Sequence, residues 1–590
     1  MSAGVEIGIA GGDPDYLIVG GGSAGCVLAA RLSEDPDVNV LLVEAGPDVR
    51  EDAIPDAIRS SYPSKAFFTR EYFFSDLMAR FGDVKGQNEP RPLARYEQAR
   101  VLGGGSTING MVGNRGAPED YEEWVSRGAE GWGWDNVLPY FRKLERDLDF
   151  DGDFHGKDGP VPIKRLSHDQ VSGFVHKTVD VLKARGFEYI DDQNGAWRDG
   201  VMPVAVTMDE TEHRATAATC YLTPAVRGRD NLRILTGRQV RRLLIEDGMV
   251  VGVEIAANDG TQDIRAGETI VSCGTINTPA LLMRSGLGPA DVLHNAGAEI
   301  VREIPGIGAH LREHPAVGIS CFVRPGFRHT APDTHHTHAH LRFSSGLEGC
   351  PESDLMIAVL SRSAWHAVGA QLGTYYLWIN KSYSEGYVRL ASADPSVAPE
   401  IDFRLLSDER DLKRMREAFR WTAALALDPG LDEARLDVFP TIFSDRVRNV
   451  SRPGRWNAFQ TAVFATILDY VGFARSRLIR SLIAPVDIRS LLDDDAVLDA
   501  YLHRAVVGVW HPVGTCRMGR ADDPAAVTDP QGRVHHVQGL RICDASLMPS
   551  VPCANTNIPT IMVAERISDL IRTAAARPDA RQARDKETAK

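Results

Sequence analysis

The first readable pattern in the chain is a short apolar run, Tyr16–Val19, which predicts a buried strand. A glycine cluster follows. Ala24–Leu32 then reads as a helix, and a second apolar run at Val38–Val43 predicts another strand. Strand, turn, helix and strand fit within roughly thirty residues, the size of a βαβ unit. Further β-rich stretches lie near 204–208, 232–245, 250–256, 316–324, 354–361 and 374–380. Helical patterns occur near 135–148, 172–185, 408–427 and 493–505, and an amphipathic helix is predicted over 560–576. Residues 1–13 read as loose, and 578–590 as a charged, disordered tail. No internal repeat and no Pro/Ser-rich linker divides the chain, so interleaved rather than serial domains are expected.

Composition narrows this picture. The 590 residues alone would suggest about four serial domains, against which the missing linker argues. An apolar fraction of 43% excludes a disordered chain and suits a large core. The longest apolar stretches are only strand length, so no membrane span is predicted, and no secretory leader is read at the N-terminus. With 66 Lys+Arg against 80 Asp+Glu, the net charge of −14 disfavours nucleic acid as a partner. The eight cysteines are scattered without a C-x-x-C pair, so buried, reduced thiols in a cytoplasmic protein are expected.

The glycine cluster gives the first chemical signal. Gly20-Gly-Gly22-Ser23-Ala24-Gly25 fits G-x-G-x-x-G between a predicted strand and helix, and Glu44 ends the second strand, 19 residues past Gly25. Gly20 permits the tight turn, Gly22 lets a pyrophosphate approach the backbone, and Gly25 lets the helix pack on the strand. The free N–H groups of the helix N-terminus would hold phosphate, and Glu44 would accept from ribose hydroxyls. A dinucleotide is predicted. This unit alone leaves NAD and FAD both open.

Further motifs follow. Ala99-Arg-Val-Leu-Gly-Gly-Gly-Ser-Thr-Ile-Asn109 is a second glycine-rich stretch and Gly274–Gly288 a third. Near the C-terminus stand Trp510-His-Pro-Val-Gly-Thr-Cys-Arg-Met-Gly519, Leu540–Pro549 and Ala554-Asn-Thr-Asn-Ile-Pro-Thr-Ile-Met562. From residue 15 to about 572 the chain resembles the glucose–methanol–choline (GMC) family of flavin oxidoreductases. Stretches 114–124, 378–381 and 401–408 extend the likeness toward members that oxidise aromatic and furanic alcohols.

The resemblance implies an α/β fold with an α+β substrate domain. A Rossmann-like FAD-binding domain would comprise residues 14–160, 225–312 and 506–577. It would interleave with a substrate-binding domain, 161–224 and 313–505, built on a large antiparallel sheet. Val101, Gly103, Gly104, Gly105, Ser106, Asn109, Gly110 and Met111 would line the flavin, with Ala45, Gly274, Trp510 and Thr556 also at the cofactor. Asp544 and Ala545 would meet the pyrophosphate and ribityl chain, and the Val240 backbone the adenine. Ile108 stands where some members carry the histidine that bonds FAD covalently, so non-covalent FAD is expected.

For chemistry, His511 is the expected base, because a neutral imidazole can accept the hydroxyl proton as hydride leaves for flavin N5. Asn555, 44 residues on, occupies the family's paired position and offers both a donor and an acceptor to the substrate oxygen. The helix after it would point its positive end at the flavin. Trp378, Val509 and Trp510 are expected in the substrate pocket, with Trp365, His366, Tyr375 and Tyr376 nearby. Tyr375–Trp378 alternates as a strand would, so only one parity can face the substrate. Aromatic walls favour flat apolar alcohols. His329, His335, His336, His338 and His340 crowd one stretch, but with no cysteine and few acids beside them a solvent-exposed loop is expected and no metal. The expected activity is oxidation of primary aromatic or furanic alcohols to aldehydes, with O2 reduced to H2O2, in a monomer or homodimer with no nucleic-acid or membrane partner. The alternatives are a choline- or sugar-type dehydrogenase using a quinone, and a flavin photoenzyme or lyase on the same fold.

Overall fold

Tyr16–Val19 and Val40–Val43 pair in parallel, Tyr16 against Val40 and Val19 against Val43, joined through the helix Ser23–Leu32. Every residue of both strands is buried, which is why each is a continuous apolar run without alternation. Gly25 is forced by this packing: a Cβ there would lie 2.0 Å from the Gly20 carbonyl oxygen. The computed structural model describes residues 12–82, 91–257, 260–331, 333–441 and 445–575. Most of the stretch read as a loose N-terminus and all of the predicted tail lie outside the described residues.

The first layer is a five-stranded parallel sheet in the order Leu540–Ile542, Glu268–Val271, Tyr16–Val19, Val40–Val43, Leu232–Leu235. Its strands come from both ends and the middle of the chain. The terminal helix Asn557–Ala575 packs on Ser23–Leu32 and on Trp134–Leu144. Its buried Glu565 ties these helices together, with Arg31 at 2.7 Å and Lys143 at 3.1 Å.

The second layer is an antiparallel sheet in the order Arg435–Pro440, Pro315–Val323, Leu372–Ile379, Leu355–Leu360, Thr337–Phe343, Gly200–Pro203, and Val507–Gly508 adds to Pro315–Val323. The mixed fold of a parallel dinucleotide-type sheet and a large antiparallel sheet agrees with the expected class.

The histidine-rich stretch departs from expectation. It is not a solvent-exposed loop. Thr337–Phe343 is an interior strand of the large sheet, and His335, His338 and His340 are at most 2% exposed. Ala339, Leu341 and Phe343 face the core. The alternating His338, His340 and Arg342 face the other side, which is also buried. Burial holds His338 and His340 neutral, each lowered to about 3.

The two layers are clamped by one buried cation. Lys381, just past the strand Leu372–Ile379, donates to Asp120 at 2.8 Å and to the Val551 carbonyl at 3.0 Å, and lies 2.5 Å from Glu123. The other Asp120 oxygen accepts from the backbone N–H groups of Ala117 and Cys553. The lysine charge pulls the Glu123 carboxyl down to about 2. Replacing Lys381 with Met leaves the buried Asp120 without its cation and Glu123 with Arg127 alone, at 2.7 Å. This is expected to cost about 3–5 kcal/mol, read as a lower unfolding midpoint in chemical denaturation, whereas Ser23→Ala is expected to shift it by far less.

Candidate active site

The register of one strand pair builds the site. Pro315 pairs with Gly508 and Ala316 with Val507, which sets Glu313-His314 beside Trp510-His511 across almost 200 residues of sequence. The buried Glu313 carboxylate accepts from the His511 backbone N–H at 2.8 Å, from His314 N–H at 2.8 Å and from the Tyr96 hydroxyl at 2.9 Å. Loss of solvent raises the Glu313 carboxyl to about 7 despite these donors. Trp510, between strand and base, has φ of +62°, the left-handed region that disfavours a bulky residue. Such backbone persists only where its surroundings over-determine it. Here Glu313 and the Trp510 ring, stacked 6.4 Å from Tyr96, supply that constraint.

Hydrogen bonds fix the protonation of His511. The Pro552 carbonyl can only accept, so His314 donates from Nε2 across 3.1 Å. Burial pushes His314 down to about 3, so its ring is neutral and its Nδ1 is bare. That Nδ1 lies 2.9 Å from His511 Nδ1, which must therefore be the donor. Burial and the neighbouring His314 also lower the pKa of His511 well below the ordinary imidazole value. Its Nε2 is consequently bare, and it accepts from the Asn555 amide at 3.0 Å. Asn555 is itself held by its backbone N–H donating to Asn114 Oδ1 at 2.9 Å. The sequence pointed to His511 and Asn555 but not to His314, Glu313 or Tyr96, and it held Lys381 only inside the 378–381 stretch of the resemblance, with no role attached. The only available signal was an acid and a histidine, Glu313-His314, immediately before an apolar strand.

His511 and Asn555 open onto a cavity of about 1200 Å³. Every residue expected at the cofactor or substrate lines it except Gly25, Gly103, Ser106 and Met111. Those four support the wall from behind. Gly25 abuts Gly20, and Gly103 N–H donates to the Gly21 carbonyl at 2.7 Å. Ser106 Oγ donates to the Gly103 carbonyl at 2.5 Å, and Met111 is fully buried. Tyr376 and Trp378 also line the cavity while Tyr375 faces the core, as strand parity requires. Trp365 and His366 do not line it. The Trp365 ring N–H is spent on the Ser451 carbonyl at 2.6 Å. His336 and His340, from the misread stretch, do line it. Gln193 donates to His340 Nδ1 at 2.8 Å, because its own oxygen accepts from Ala205 N–H, and this leaves the His340 proton on Nε2.

The wall fits a dinucleotide. A Cβ on Gly105 or Gly274 would meet nothing within 4 Å, and the nearest atom to one on Gly22 would be 3.9 Å away. Bare backbone thus faces open cavity at each of the three glycine stretches. Gly104, with φ of +54°, holds two of these loops together, since a Cβ there would lie 2.6 Å from Gly22 Cα. Glu44 accepts from Gly21 N–H at 2.7 Å and Gly46 N–H at 2.6 Å and keeps lone pairs for hydroxyl donors. Asn555 Oδ1, Arg284 Nε and His336 Nδ1, all on lining residues, are buried polar atoms with no partner among the described residues. The volume exceeds the roughly 300–1,000 Å³ of an ordinary ligand pocket.

A parallel-sheet dinucleotide cradle that shares one cavity with a neutral buried imidazole defines a dinucleotide-dependent dehydrogenating enzyme. The family model described as GMC oxidoreductase matches residues 14–316, and its C-terminal counterpart matches 382–564. The chain is 38% identical to 5-(hydroxymethyl)furfural oxidase of Methylovorus sp. (strain MP688), over 95% of this chain and 99% of that protein. It is 32% identical to human mitochondrial choline dehydrogenase, over 94% of this chain and 89% of that protein. Pyridoxine 4-oxidase from Mesorbium loti superposes with a TM-score of 0.79 at 28% identity, covering 95% of this chain and 99% of that one. The chain belongs to the GMC oxidoreductase family and is an FAD-dependent oxidoreductase acting on alcohols.

Gly20, Gly22, Ser23, Ala24, Glu44, Gly104, Gly105 and Gly274 are the residues that would hold FAD, which when bound supplies the acceptor for the hydride of the alcohol carbon. The protein side of the chemistry is a proton at one atom. His511 Nε2 can accept it, Asn555 Nδ2 can donate to the alcohol oxygen, and His314 keeps His511 from presenting an N–H instead.

Two outcomes follow. His314→Leu is expected to lower kcat by about 10–100-fold with little change in KM, and His314→Gln, whose amide oxygen can accept from His511 Nδ1, is expected to recover part of the loss. A protonated His511 cannot serve as acceptor, so the acid limb of kcat/KM against pH is expected to fall below the ordinary imidazole value of 6.5.

Proposed function

We propose that this protein oxidises primary aromatic or furanic alcohols to aldehydes, with His511 as the base, FAD held non-covalently and dioxygen as the electron acceptor. The balance is one alcohol and one O2 giving one aldehyde and one H2O2. The observation that carries the reading is the bare Nε2 of neutral His511, 3.0 Å from the Asn555 amide, at the wall of a cavity with an aromatic end. Phe67, Phe68, Tyr376, Trp378 and Trp510 offer flat apolar faces there. The 38% identity to a 5-(hydroxymethyl)furfural oxidase supports the same substrate class.

Two further features support parts of this reading. Ile108 lines the cavity and has no nucleophilic atom, which favours dissociable FAD. A choline-type reading calls for a carboxylate free to meet a quaternary ammonium. Glu97, the acid beside Trp510, is already engaged by Arg448 at 3.3 Å and by the Trp510 ring N–H at 3.3 Å.

Anaerobic mixing with benzylic, furanic, amino and sugar alcohols is the direct test. Flavin bleaching is expected with the first two, and readmitted oxygen should release stoichiometric peroxide. His511→Ala should slow bleaching by about 10²–10⁴-fold with FAD still bound, and acid precipitation should leave the yellow colour in the supernatant. Bleaching by choline alone, or reoxidation only by a quinone, would contradict the proposal.

A further inference from the structure

The helix Arg455–Tyr470 has an apolar face that nothing among the described residues covers. Trp456, Phe459, Val463, Ile467 and Tyr470 follow a spacing of three or four residues, which is one helix face. They are 70%, 61%, 47%, 39% and 86% exposed, whereas Thr461, Ala465 and Leu468 on the other side are buried. The Trp456 and Phe459 rings touch, with centroids 5.9 Å apart. The stripe has an amphipathic aromatic at each end, Trp456 and Tyr470, and purely apolar side chains between them. This is the arrangement of a helix lying in a membrane interface.

The segment's own charge is opposite in sign to that of the molecule, although Arg448, Arg475 and Arg480 pair with Glu97, Asp437 and Asp487 from outside it. Residues 446–480 hold seven arginines, no lysine and one acid, in a chain whose net charge is −14. The single acid, Asp469, is engaged by Arg328 at 2.5 Å and by Gln371 at 2.8 Å. Arg452, Arg455 and Arg477 are exposed and have no acidic partner within 4 Å among the described residues. Arg452 and Arg455 flank the start of the stripe. An isologous contact with a second copy would set this basic patch against itself, whereas anionic lipid headgroups would neutralise it.

The helix also begins at the cavity wall. Ser451, Arg452 and Pro453, immediately before the helix, line the cavity. We propose that the stripe Trp456–Tyr470 and its flanking arginines dock this protein on an anionic phospholipid surface, with the cavity mouth at the interface where apolar alcohols partition. The docking needs no membrane span, and no helix among the described residues is long and apolar enough to cross one. It goes beyond the proposed activity and does not depend on it.

The test is flotation of the FAD-loaded full chain with vesicles of phosphatidylcholine alone or with added phosphatidylglycerol. The expected result is flotation with the phosphatidylglycerol vesicles only, lost at high salt. The Trp456→Ser/Phe459→Ser double variant and the Arg455→Glu/Arg477→Glu double variant should each lose flotation while keeping unchanged turnover of a water-soluble alcohol. Failure of the unmodified protein to float, or flotation of both double variants to the same extent as the unmodified protein, would overturn the proposal. So would light scattering that shows a dimer dissociated by Trp456→Ser/Phe459→Ser.

Discussion

Two residues of backbone pairing, Pro315 with Gly508 and Ala316 with Val507, decide where the chemistry can happen. They seat the end of one chain segment on the large antiparallel sheet, so His511 leaves the sheet edge beside Glu313 and His314. The carboxylate of Glu313 then takes the His511 N–H and holds Trp510 in its left-handed turn. Each of these contacts is buried, where a lost hydrogen bond costs more than it would at the surface. The base is positioned by groups that cannot move independently of the sheet.

Burial also sets the electrostatics. A histidine in water near neutral pH titrates freely, but His314 and His511 are both held neutral because a charged imidazolium would be poorly solvated there. Two neutral rings in contact cannot choose their tautomers separately. The Pro552 carbonyl fixes the first, and the first fixes the second. Pro552 in turn is held through Lys381 and Asp120, whose partners are the carbonyl and N–H on either side of it, Val551 and Cys553. The clamp between the layers and the tautomer of the base therefore belong to one hydrogen-bonded chain.

Much of this architecture was legible in the sequence, for identifiable reasons. Fully buried parallel strands are continuous apolar runs, and a dinucleotide needs bare backbone, so Tyr16–Val19 and the glycine stretches announced themselves. His511 and Asn555 were legible only through the family motif around them, since a lone histidine has no periodic signature. Glu313 and His314 were not, because their role depends on strand register. The histidine-rich stretch reads as a solvent-exposed loop because its composition is polar, yet the polar side of Thr337–Phe343 meets a cavity wall and buried neighbours, not water. The helix Arg455–Tyr470 escaped notice because it is apolar on its exposed face as well as its buried one, which blurs the helical period.

The chemistry of the site depends on where two protons sit. Neutron diffraction from deuterium-exchanged crystals of the FAD-loaded protein at neutral pH would locate them. The expected map has deuterium on His314 Nε2 and His511 Nδ1, with none on His511 Nε2. Deuterium on His511 Nε2, whether as the other tautomer or as an imidazolium, would contradict the assignment of that atom as the proton acceptor.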